Sequence, residues 1–370
     1  MEKYADIAAD TERILAKAEA NARALDEGEL AHLLSLPDGS AGETALFDAA
    51  YRVKRKITGQ RVSIRGLIEA GNICAKDCLY CGIRKSNASL ARYSLTADEI
   101  VDLCRKAKSF RYASVVIQSG EMESEAHTSF IEDVLRRIAP LDLGVTLSLG
   151  EQSEEVYRRW REAGAARYLL RIETSNPVLY WRIHPAGHSW ERRRECLRAL
   201  GRLGYQVGTG VMCGLPGQTA LDLARDILFY CEIDADMIGM GPWIPHPEAP
   251  LGRGGDYDAR AALHLGLRMI AAARLQLHDV NIAAATALQA LADDGREQGV
   301  RAGANVIMPN MTDVKYRRAY QLYSGKPCLG EDAALCRSCL DRRLAAIGEE
   351  ILYGERGDSL HYAEKSRRHQ

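Results

Sequence analysis

The sequence has no long hydrophobic run and no excess of charge of either sign. Its 370 residues include no stretch of 18 consecutive apolar residues, so a membrane-spanning helix is not expected. Lys and Arg number 49 against 50 Asp and Glu, a formal net charge of -1. This balance provides no electrostatic basis for binding nucleic acid or an anionic membrane surface. Residues 1–4 do not resemble a signal peptide, and we expect a cytoplasmic protein without nucleic-acid or membrane partners.

The ten cysteines are not expected to form disulfides, because cysteine-rich cytosolic chains more often bind metals. Six of them fall in two clusters and four are scattered. The scattered four lie in helix-like segments or just after a strand, where free cysteine packs as a small hydrophobe; they are Cys104, Cys196, Cys213 and Cys231. The clustered six are the candidate metal ligands.

The first cluster is Cys74, Cys78 and Cys81, with no fourth cysteine nearby. Three thiolates can hold three corners of a cubane iron–sulfur cluster and leave the fourth iron without a protein ligand. An open position on a metal centre is where a substrate or cofactor binds. The alternative is a buried helical stripe of cysteines, but Lys76 and Gly82 would be poor neighbours in a core.

An aromatic residue, Tyr80, precedes the last cysteine of this cluster. A CxxxCxxC motif with an aromatic at this position is the signature of the radical S-adenosylmethionine (SAM) superfamily, which this chain resembles. The resemblance implies that SAM binds the open iron and that reduction of its sulfonium yields a 5′-deoxyadenosyl radical in a sealed cavity. The expected cofactors are a 4Fe–4S cluster and SAM.

The second cluster is Cys328, Cys336 and Cys339, again without a close fourth cysteine. A structural zinc would require a fourth ligand, so an accessory iron–sulfur cluster is the preferred interpretation. A zinc site and an empty site are the alternatives. Because this cluster follows the last predicted strand, we expect it to lie outside the adenosyl cavity and not to be essential.

Strand-like and helix-like segments alternate after an all-helical start. Helices are predicted at 8–24, 29–36 and 42–56. Strands are then predicted at 62–69, 114–118, 144–149, 167–171, 206–212, 236–241, 281–285 and 305–308, with helices at 96–108, 124–138, 153–163, 190–203, 219–231, 260–277 and 288–302, the last broken by Gly295. Apolar strands alternating with helices predict the α/β class, and eight such units predict a complete (β/α)8 TIM-type barrel.

Three regions are expected on this basis. Residues 1–55 form an N-terminal helical extension, residues 56–325 the radical SAM barrel, and residues 326–370 a C-terminal segment with the second cysteine cluster. Catalytic groups of such barrels gather at the carboxyl ends of the strands. Polar residues and glycines or prolines follow every predicted strand here. This pattern predicts an active site at the face of the barrel formed by the carboxyl ends of the strands.

Three residues are candidates for holding the amino-acid part of SAM. Glu173 ends a barrel strand, where a charge has no structural purpose, and Ser119 ends another. Arg193 could fork the SAM carboxylate, although by position alone a surface charge is the better explanation. Trp243 could stack on adenine or pack in the core.

The chain resembles the HydE family of radical SAM FeFe-hydrogenase maturases over about residues 50–345. Matching segments are 74–84, 118–121, 146–151, 163–171, 214–219, 241–247, 303–310 and 320–323. The family has a complete barrel, and many of its members carry the second cysteine trio.

The resemblance assigns roles to individual residues. It implies that Cys74, Cys78 and Cys81 bind the cluster. Residues implied to bind SAM are Ser119, Glu173, Arg193 and Tyr320. Tyr80 and Gln118, which lie in the matching segments, are added to the candidate cofactor-binding residues. Residues implied to line the substrate cavity, and counted as catalytic, are Arg65, Thr146, Arg171, Met237, Thr286 and Met308.

The implied substrate is a cysteine-bound iron carbonyl cyanide complex made by a partner maturase. The adenosyl radical would attack its sulfur during assembly of the di-iron subcluster of FeFe-hydrogenase. Other expected partners are hydrogenase maturation proteins and a reductant such as ferredoxin or flavodoxin.

Two departures from the family pattern bear on the substrate. Ile172 stands where the family usually has His, and residues 122–123 replace the usual Asp-Pro. A HydE-like, methylornithine synthase-like or biotin synthase-like enzyme acting on another small sulfur compound or amino acid is the alternative. A second alternative, of a different class, is a scaffold or electron-transfer protein that carries a cluster and performs no radical step. Such a protein would not cleave SAM.

Overall fold

A curled sheet of seven parallel strands organises the fold. The structure is a computed structural model that describes residues 2–253 and 256–368, without the side chains of residues 2–7 and Cys336. Its strands are β1 Arg61–Ile64, β2 Gly66–Gly71, β3 Ser114–Ser119, β4 Gly144–Ser148, β5 Ala165–Leu169, β6 Gln206–Thr209, β7 Met212–Cys213, β8 Met237–Ile238, β9 Gly241–Pro242, β10 Asn281–Ile282, β11 Val306–Ile307 and β12 Glu350–Leu352.

The helices alternate with these strands. In chain order they are α1 Glu2–Ala20, α2 Glu27–Leu34, α3 Ala41–Thr58, α4 Ala97–Ser109, α5 Glu125–Ile138, α6 Glu154–Glu162, α7 Pro177–Ile183, α8 Trp190–Arg202, α9 Ala220–Glu232, α10 Ala259–Gln276, α11 Thr286–Leu291, α12 Gly295–Arg301, α13 Val314–Arg317, α14 Ala333–Ala346 and α15 Leu360–Arg368. None of the described helices is long and apolar enough to cross a membrane.

The order of the central sheet is β2-β3-β4-β5-β6-β8-β10, and every neighbouring pair is parallel. β1 lies between β11 and β12 in a second parallel sheet. Parallel bridges connect Leu67 with Asn310 and Ala283 with Val306. Because parallel strands need crossover connections, helices cover the outside of the sheet. The α/β class with a parallel, helix-covered sheet is as predicted.

The predicted helices are present with shifts of a few residues at their ends. A capping box forms at Thr96, since its side chain accepts from the Glu99 N–H and the Glu99 carboxylate accepts from the Thr96 N–H. The helix predicted at 288–302 is two helices, α11 and α12. The break is at Gly295, where a Cβ would stand 2.0 Å from the Leu288 carbonyl oxygen.

The strand predicted at 62–69 is interrupted at Arg65 by a change of partner. Before Arg65 the chain pairs with β11 and β12, and after it with β3. The sequence pattern also missed α7, α13 and the three C-terminal elements α14, β12 and α15. These elements are short or carry no clear apolar period, so the pattern gave no signal for them.

The residues after α14 extend the second parallel sheet and reach the strands of the central sheet. β12 adds to the free side of β1, and residues 356–358, the floor segment, then cross the amino ends of the strands. Arg167 donates to the Arg356 carbonyl at 2.9 Å and forms an ion pair with Asp358. Arg65 donates to the Gly357 carbonyl at 3.2 Å. The floor segment therefore covers the end of the sheet opposite the cysteine loop.

Candidate active site at the cysteine loop

The first cysteine cluster lies in the loop that follows β2, at the carboxyl end of the sheet. Backbone hydrogen bonds attach this loop to three neighbouring segments: Ala75 N–H donates to Glu121 at 2.7 Å, Leu79 N–H to Ile183 at 3.0 Å and Gly82 N–H to Leu322 at 3.0 Å. The Glu121 N–H points at Cys74 Sγ at 3.4 Å. The cysteine loop is thus held by the segment after β3, by the end of α7 and by the segment after α13.

Arg92 holds the same loop from behind, a role that the sequence did not reveal. Its guanidinium donates to the carbonyls of Asn72 at 2.6 Å and Ile83 at 2.8 Å, and further contacts reach the Arg84, Lys85 and Asn87 carbonyls. Backbone carbonyls that no helix or strand satisfies are paired in this way. A cation contacting five carbonyls restrains the loop without occupying its open side.

Gly82 and Gly120 allow the close packing that brings the cysteines together. A Cβ on Gly120 would stand 2.2 Å from the Ile73 carbonyl oxygen and 2.8 Å from the Cys74 Cβ. A Cβ on Gly82 would stand 2.1 Å from the Gln321 carbonyl oxygen. Both residues must therefore be glycine for the loop to keep this conformation.

The three thiols are partly buried and free of disulfides. Burial raises the pKa of Cys78 to about 12 and also raises the pKa of Cys74 and Cys81. Thiolates at these positions would need nearby positive charge. A cationic iron cluster provides such charge, so the donor set suits a metal centre.

A network of carboxylates and cations borders the loop. Lys76 lies 3.0 Å from Glu121 and 3.7 Å from Glu151. Arg193 donates its Nε to Glu151 at 2.6 Å and its Nη1 to the Arg171 carbonyl at 3.0 Å. Arg193 is 7% exposed, so the surface role considered for it from sequence is wrong.

Glu173 lies in a strained backbone conformation beside this network. Its φ is +67°, a region that non-glycine residues rarely adopt and that often occurs at functional sites. Its carboxylate is 3.0 Å from the Arg171 guanidinium. Burial raises the pKa of Tyr80 well above its ordinary value, and Glu173 acts in the same direction whereas Arg193 opposes it. The structure thus brings four of the predicted site residues together.

Tyr320 and Gln118 form a second polar group at the same end of the sheet. Gln118 Nε2 donates to Tyr320 Oη at 2.9 Å, and Lys326 donates to the Tyr320 carbonyl at 2.7 Å. Lys326 also pairs with the buried Glu69. Ser119 lies next to Gln118 and donates to the Gly120 carbonyl at 2.7 Å.

A cavity lies between the strands. Four of the six residues predicted to line it do so, namely Arg65, Thr146, Met237 and Met308. Thr146 Oγ1 is buried and has no hydrogen-bond partner among the described residues. Arg65 donates to Met237 Sδ at 2.8 Å, and burial lowers the pKa of Arg65. The cavity combines a buried cation, a hydroxyl and two thioethers.

Three other residues lie outside the lining of this cavity. Thr286 accepts a hydrogen bond from Arg296 at 3.1 Å. Arg171 donates to the Val211 carbonyl at 2.8 Å, nearer to Glu173. Ile172 is fully buried in the main hydrophobic core.

Asn281 lines the cavity, although the sequence did not reveal it. Its side-chain oxygen accepts a hydrogen bond from Asn305 Nδ2 at 2.9 Å.

The second cysteine cluster lies near the C-terminus. Arg317 donates to the Cys328 carbonyl at 2.8 Å and to the Glu331 carbonyl at 2.6 Å, which holds the segment before α14. Cys336 and Cys339 are one turn apart on α14, although the Cys336 side chain is outside the described part of the chain. Cys328 and Cys339 form no disulfide.

Comparison with known proteins agrees with this geometry. The Radical SAM superfamily model matches residues 68–229. The chain is 45% identical over 321 residues to the FeFe hydrogenase maturase subunit HydE of Thermotoga maritima, and the match covers 87% of this chain and 90% of that protein. The chain belongs to the HydE family of radical SAM enzymes. The resemblance stated from the sequence is therefore confirmed, and so are the enzyme class and the cofactors, a 4Fe–4S cluster and SAM.

More distant relatives of this HydE-family enzyme share its fold. Biotin synthase 1 of Corynebacterium diphtheriae is 28% identical over 78% of this chain and 81% of its own. The crystal structure of methylornithine synthase has a TM-score of 0.78 at 23% identity and covers 96% of this chain and 99% of its own. The maturase HydG of Carboxydothermus hydrogenoformans has a TM-score of 0.77 at 20% identity, over 93% and 79%.

Proposed function

We propose that this HydE-family enzyme acts on the sulfur of a cysteine-bound iron carbonyl cyanide complex during assembly of the FeFe-hydrogenase di-iron subcluster. The observation that carries the proposal is the cavity between the strands, which is lined by a buried guanidinium, two thioethers and a hydroxyl that has no hydrogen-bond partner among the described residues. The relative in Thermotoga maritima is itself a FeFe hydrogenase maturase subunit.

In this proposal, Cys74, Cys78 and Cys81 hold the cluster, and the charged residues beside them hold SAM. Glu173 meets the SAM ammonium, and Arg193 its carboxylate. Tyr320 and Ser119 contact the rest of the cofactor, with Tyr80 and Gln118 supporting them. Bound by these three cysteines and reduced, a 4Fe–4S cluster would supply the electron for the reductive cleavage of SAM.

The cavity residues orient the second substrate. Arg65 donates to two uncharged acceptors, a thioether and a carbonyl, and the Asp358 carboxylate of the floor segment also acts on its charge. A buried guanidinium whose hydrogen-bond acceptors are uncharged favours an anionic complex. Thr146 offers its hydroxyl to a polar ligand. Met237 and Met308 provide soft, polarisable contacts. Arg171 pairs with Glu173 and Thr286 accepts from Arg296; we propose that both contribute to the substrate site through these partners.

Ile172 is compatible with this substrate because it packs in the core and not against the cavity. The usual histidine could donate a hydrogen bond, but at a position that does not face the substrate its absence removes no contact with the substrate. The replacement of the usual histidine therefore gives no reason to prefer another sulfur compound.

The proposal includes a complete (β/α)8 barrel. The pairing of β1 with β11 and the Leu67–Asn310 and Ala283–Val306 bridges support closure of the sheet into a ring. We assign residues 1–55 to the N-terminal extension, 56–325 to the barrel and 326–370 to the C-terminal segment. We also propose that the enzyme works in the cytoplasm with hydrogenase maturation proteins and a ferredoxin or flavodoxin as reductant.

The test is anaerobic turnover with dithionite, SAM and the synthetic cysteine-bound iron carbonyl cyanide complex. We expect the complex to accelerate SAM consumption and its carbonyl infrared bands to change, whereas free cysteine does neither. Arg65→Met should lose the stimulation by the complex while it retains slow SAM cleavage without substrate. Equal rates with the complex and with free cysteine would reject this substrate.

We further propose that Cys328, Cys336 and Cys339 bind an accessory iron–sulfur cluster. Cys339→Ala is expected to lower the iron content and to leave the rate of SAM cleavage within about twofold of wild type, because catalytic groups of such barrels gather around the primary loop. Iron analysis and 5′-deoxyadenosine quantification check this. Loss of SAM cleavage in Cys339→Ala would contradict the accessory role.

A further inference from the structure

The outer face of α7 is apolar and exposed next to the cysteine loop. Trp181 is 57% exposed and Val178 53%, one helical turn apart, while Leu179, Tyr180 and Ile183 face inwards. Single exposed apolar side chains are common, but neighbouring ones that form a contiguous patch often mark a binding surface. Tryptophan is also among the residues that contribute most to protein interfaces.

The start of α9 extends this surface. Leu221 is 46% exposed, and the neighbouring Asp222 accepts a hydrogen bond from Asn176 at 2.9 Å, which ties α9 to the cap of α7. Arg182 Nη1 lies 3.6 Å from where a Cβ on Gly217 would stand. We call Val178, Trp181, Arg182 and Leu221 the α7 face.

The α7 face is connected to the cluster-binding loop through the backbone. Ile183, the last residue of α7, accepts the Leu79 N–H at 3.0 Å, within the segment between Cys78 and Cys81. His184 follows and contacts Tyr80 at 3.4 Å. Only a few covalent and hydrogen bonds therefore separate Trp181 from the cysteines.

The charges around the α7 face favour an acidic partner. Four carboxylates border the cysteine loop, and each one is paired with Lys or Arg; they are Asp77, Glu121, Glu123 and Glu151. The side chains of Arg182 and Lys85 have no ion pair or hydrogen bond among the described residues, and both are exposed. Because the carboxylates around the loop are neutralised and the charges of Arg182 and Lys85 are not, the local electrostatic potential is positive.

We propose that the α7 face is the docking site of a small acidic electron-transfer protein that reduces the cluster. The inference rests on the proposed assignment of Cys74, Cys78 and Cys81 as cluster ligands. An apolar centre with tryptophan and arginine, depleted of carboxylates, is the composition of a protein interface. The reduced donor protein transfers one electron to the cluster. The donor is thereby oxidised by one electron and the cluster is reduced by one electron.

A redox protein fits this location better than another occupant does. Electron transfer requires close approach to the metal centre, whereas a partner that delivers substrate must reach the cavity. The α7 face adjoins the loop and supplies no residue to the cavity lining. Unpaired surface cations also accelerate encounter with an acidic protein.

The test compares a protein donor with a small one. Trp181→Ser and Arg182→Glu are assayed with reduced flavodoxin, with reduced ferredoxin and with dithionite. We expect SAM cleavage driven by at least one protein donor to fall by about tenfold or more. The dithionite-driven rate should remain unchanged, because dithionite needs no docking site. Leu335→Ser, at an exposed leucine on α14, is the matched control.

Binding gives a readout that does not depend on turnover. In calorimetric titrations with that donor, Trp181→Ser should raise the Kd by about tenfold, and Arg182→Glu should weaken its dependence on salt. Unchanged affinity and unchanged donor-driven rates in both variants would overturn the docking site. The docking site would also be overturned if sedimentation showed a dimer for the wild type and a monomer for Trp181→Ser while donor binding stayed the same. Absence of SAM cleavage with dithionite in the wild type would instead reject the proposed function.

Discussion

Cys81→Ala is expected to lower SAM cleavage by roughly 10³-fold or more, to the background of the assay. The cysteine loop provides three thiols, and loss of one leaves a cubane cluster with two protein ligands, too few to hold it with one open iron. Burial at this position also excludes water as an easy replacement ligand. The measurements are iron per chain, the EPR signal after dithionite and its response to SAM, and the yield of 5′-deoxyadenosine.

Cys231→Ala is the matched control for this variant. Cys231 lies on α9, is partly buried and free, and belongs to neither cysteine cluster. It should therefore retain wild-type iron content and activity. A Cys81→Ala protein whose EPR signal still shifted on addition of SAM would show that Cys74, Cys78 and Cys81 do not hold the catalytic cluster.

Lys54→Met is expected to reduce the free energy of unfolding by about 3–5 kcal/mol, the cost of removing one partner from a buried ion pair. Lys54 on α3 and Glu349 before β12 pair with each other, and both side chains are 0% exposed. In the variant, the Tyr51 hydroxyl, at 2.8 Å, would be the one side-chain donor left to the Glu349 carboxylate among the described residues. Chemical denaturation of the cluster-free protein measures the change.

Two further variants define the cause of this loss. Lys54→Met combined with Glu349→Gln should regain most of the stability, because no uncompensated charge remains buried. Arg105→Met breaks the exposed pair with Asp102 and should cost less than about 1 kcal/mol. If Lys54→Met were no more destabilising than Arg105→Met, the N-terminal helices would not be fastened to the C-terminal segment through this pair.

The elements predicted from sequence are those in which local pattern and tertiary environment agree. α4 begins at Thr96 because a capping box and an apolar period mark the same position. β12 and the floor segment gave no such signal, since their structure depends on partners far along the chain, such as β1 and Arg167. α7 has seven residues, too few to show a helical period.

The same distinction separates the site residues. Cys74, Cys78 and Cys81 were identified because their spacing is itself the chemical signal. Arg92 and Asn281 were missed because an isolated arginine or asparagine carries no pattern until the fold shows which groups it contacts. Thr286 was expected in the cavity and bonds Arg296 instead.

The sequence by itself determined the cofactor chemistry of this protein, because ligand type and spacing decide what a cysteine trio can bind. It also determined the α/β class, because the alternation of apolar periods follows from the backbone geometry of strands and helices. Only the tertiary structure decided the surroundings of those cysteines: the Arg92 contacts, the strained Glu173, the floor beneath the cavity and the exposed face of α7. Each of these joins residues distant in sequence, and their proximity exists only after the sheet has curled.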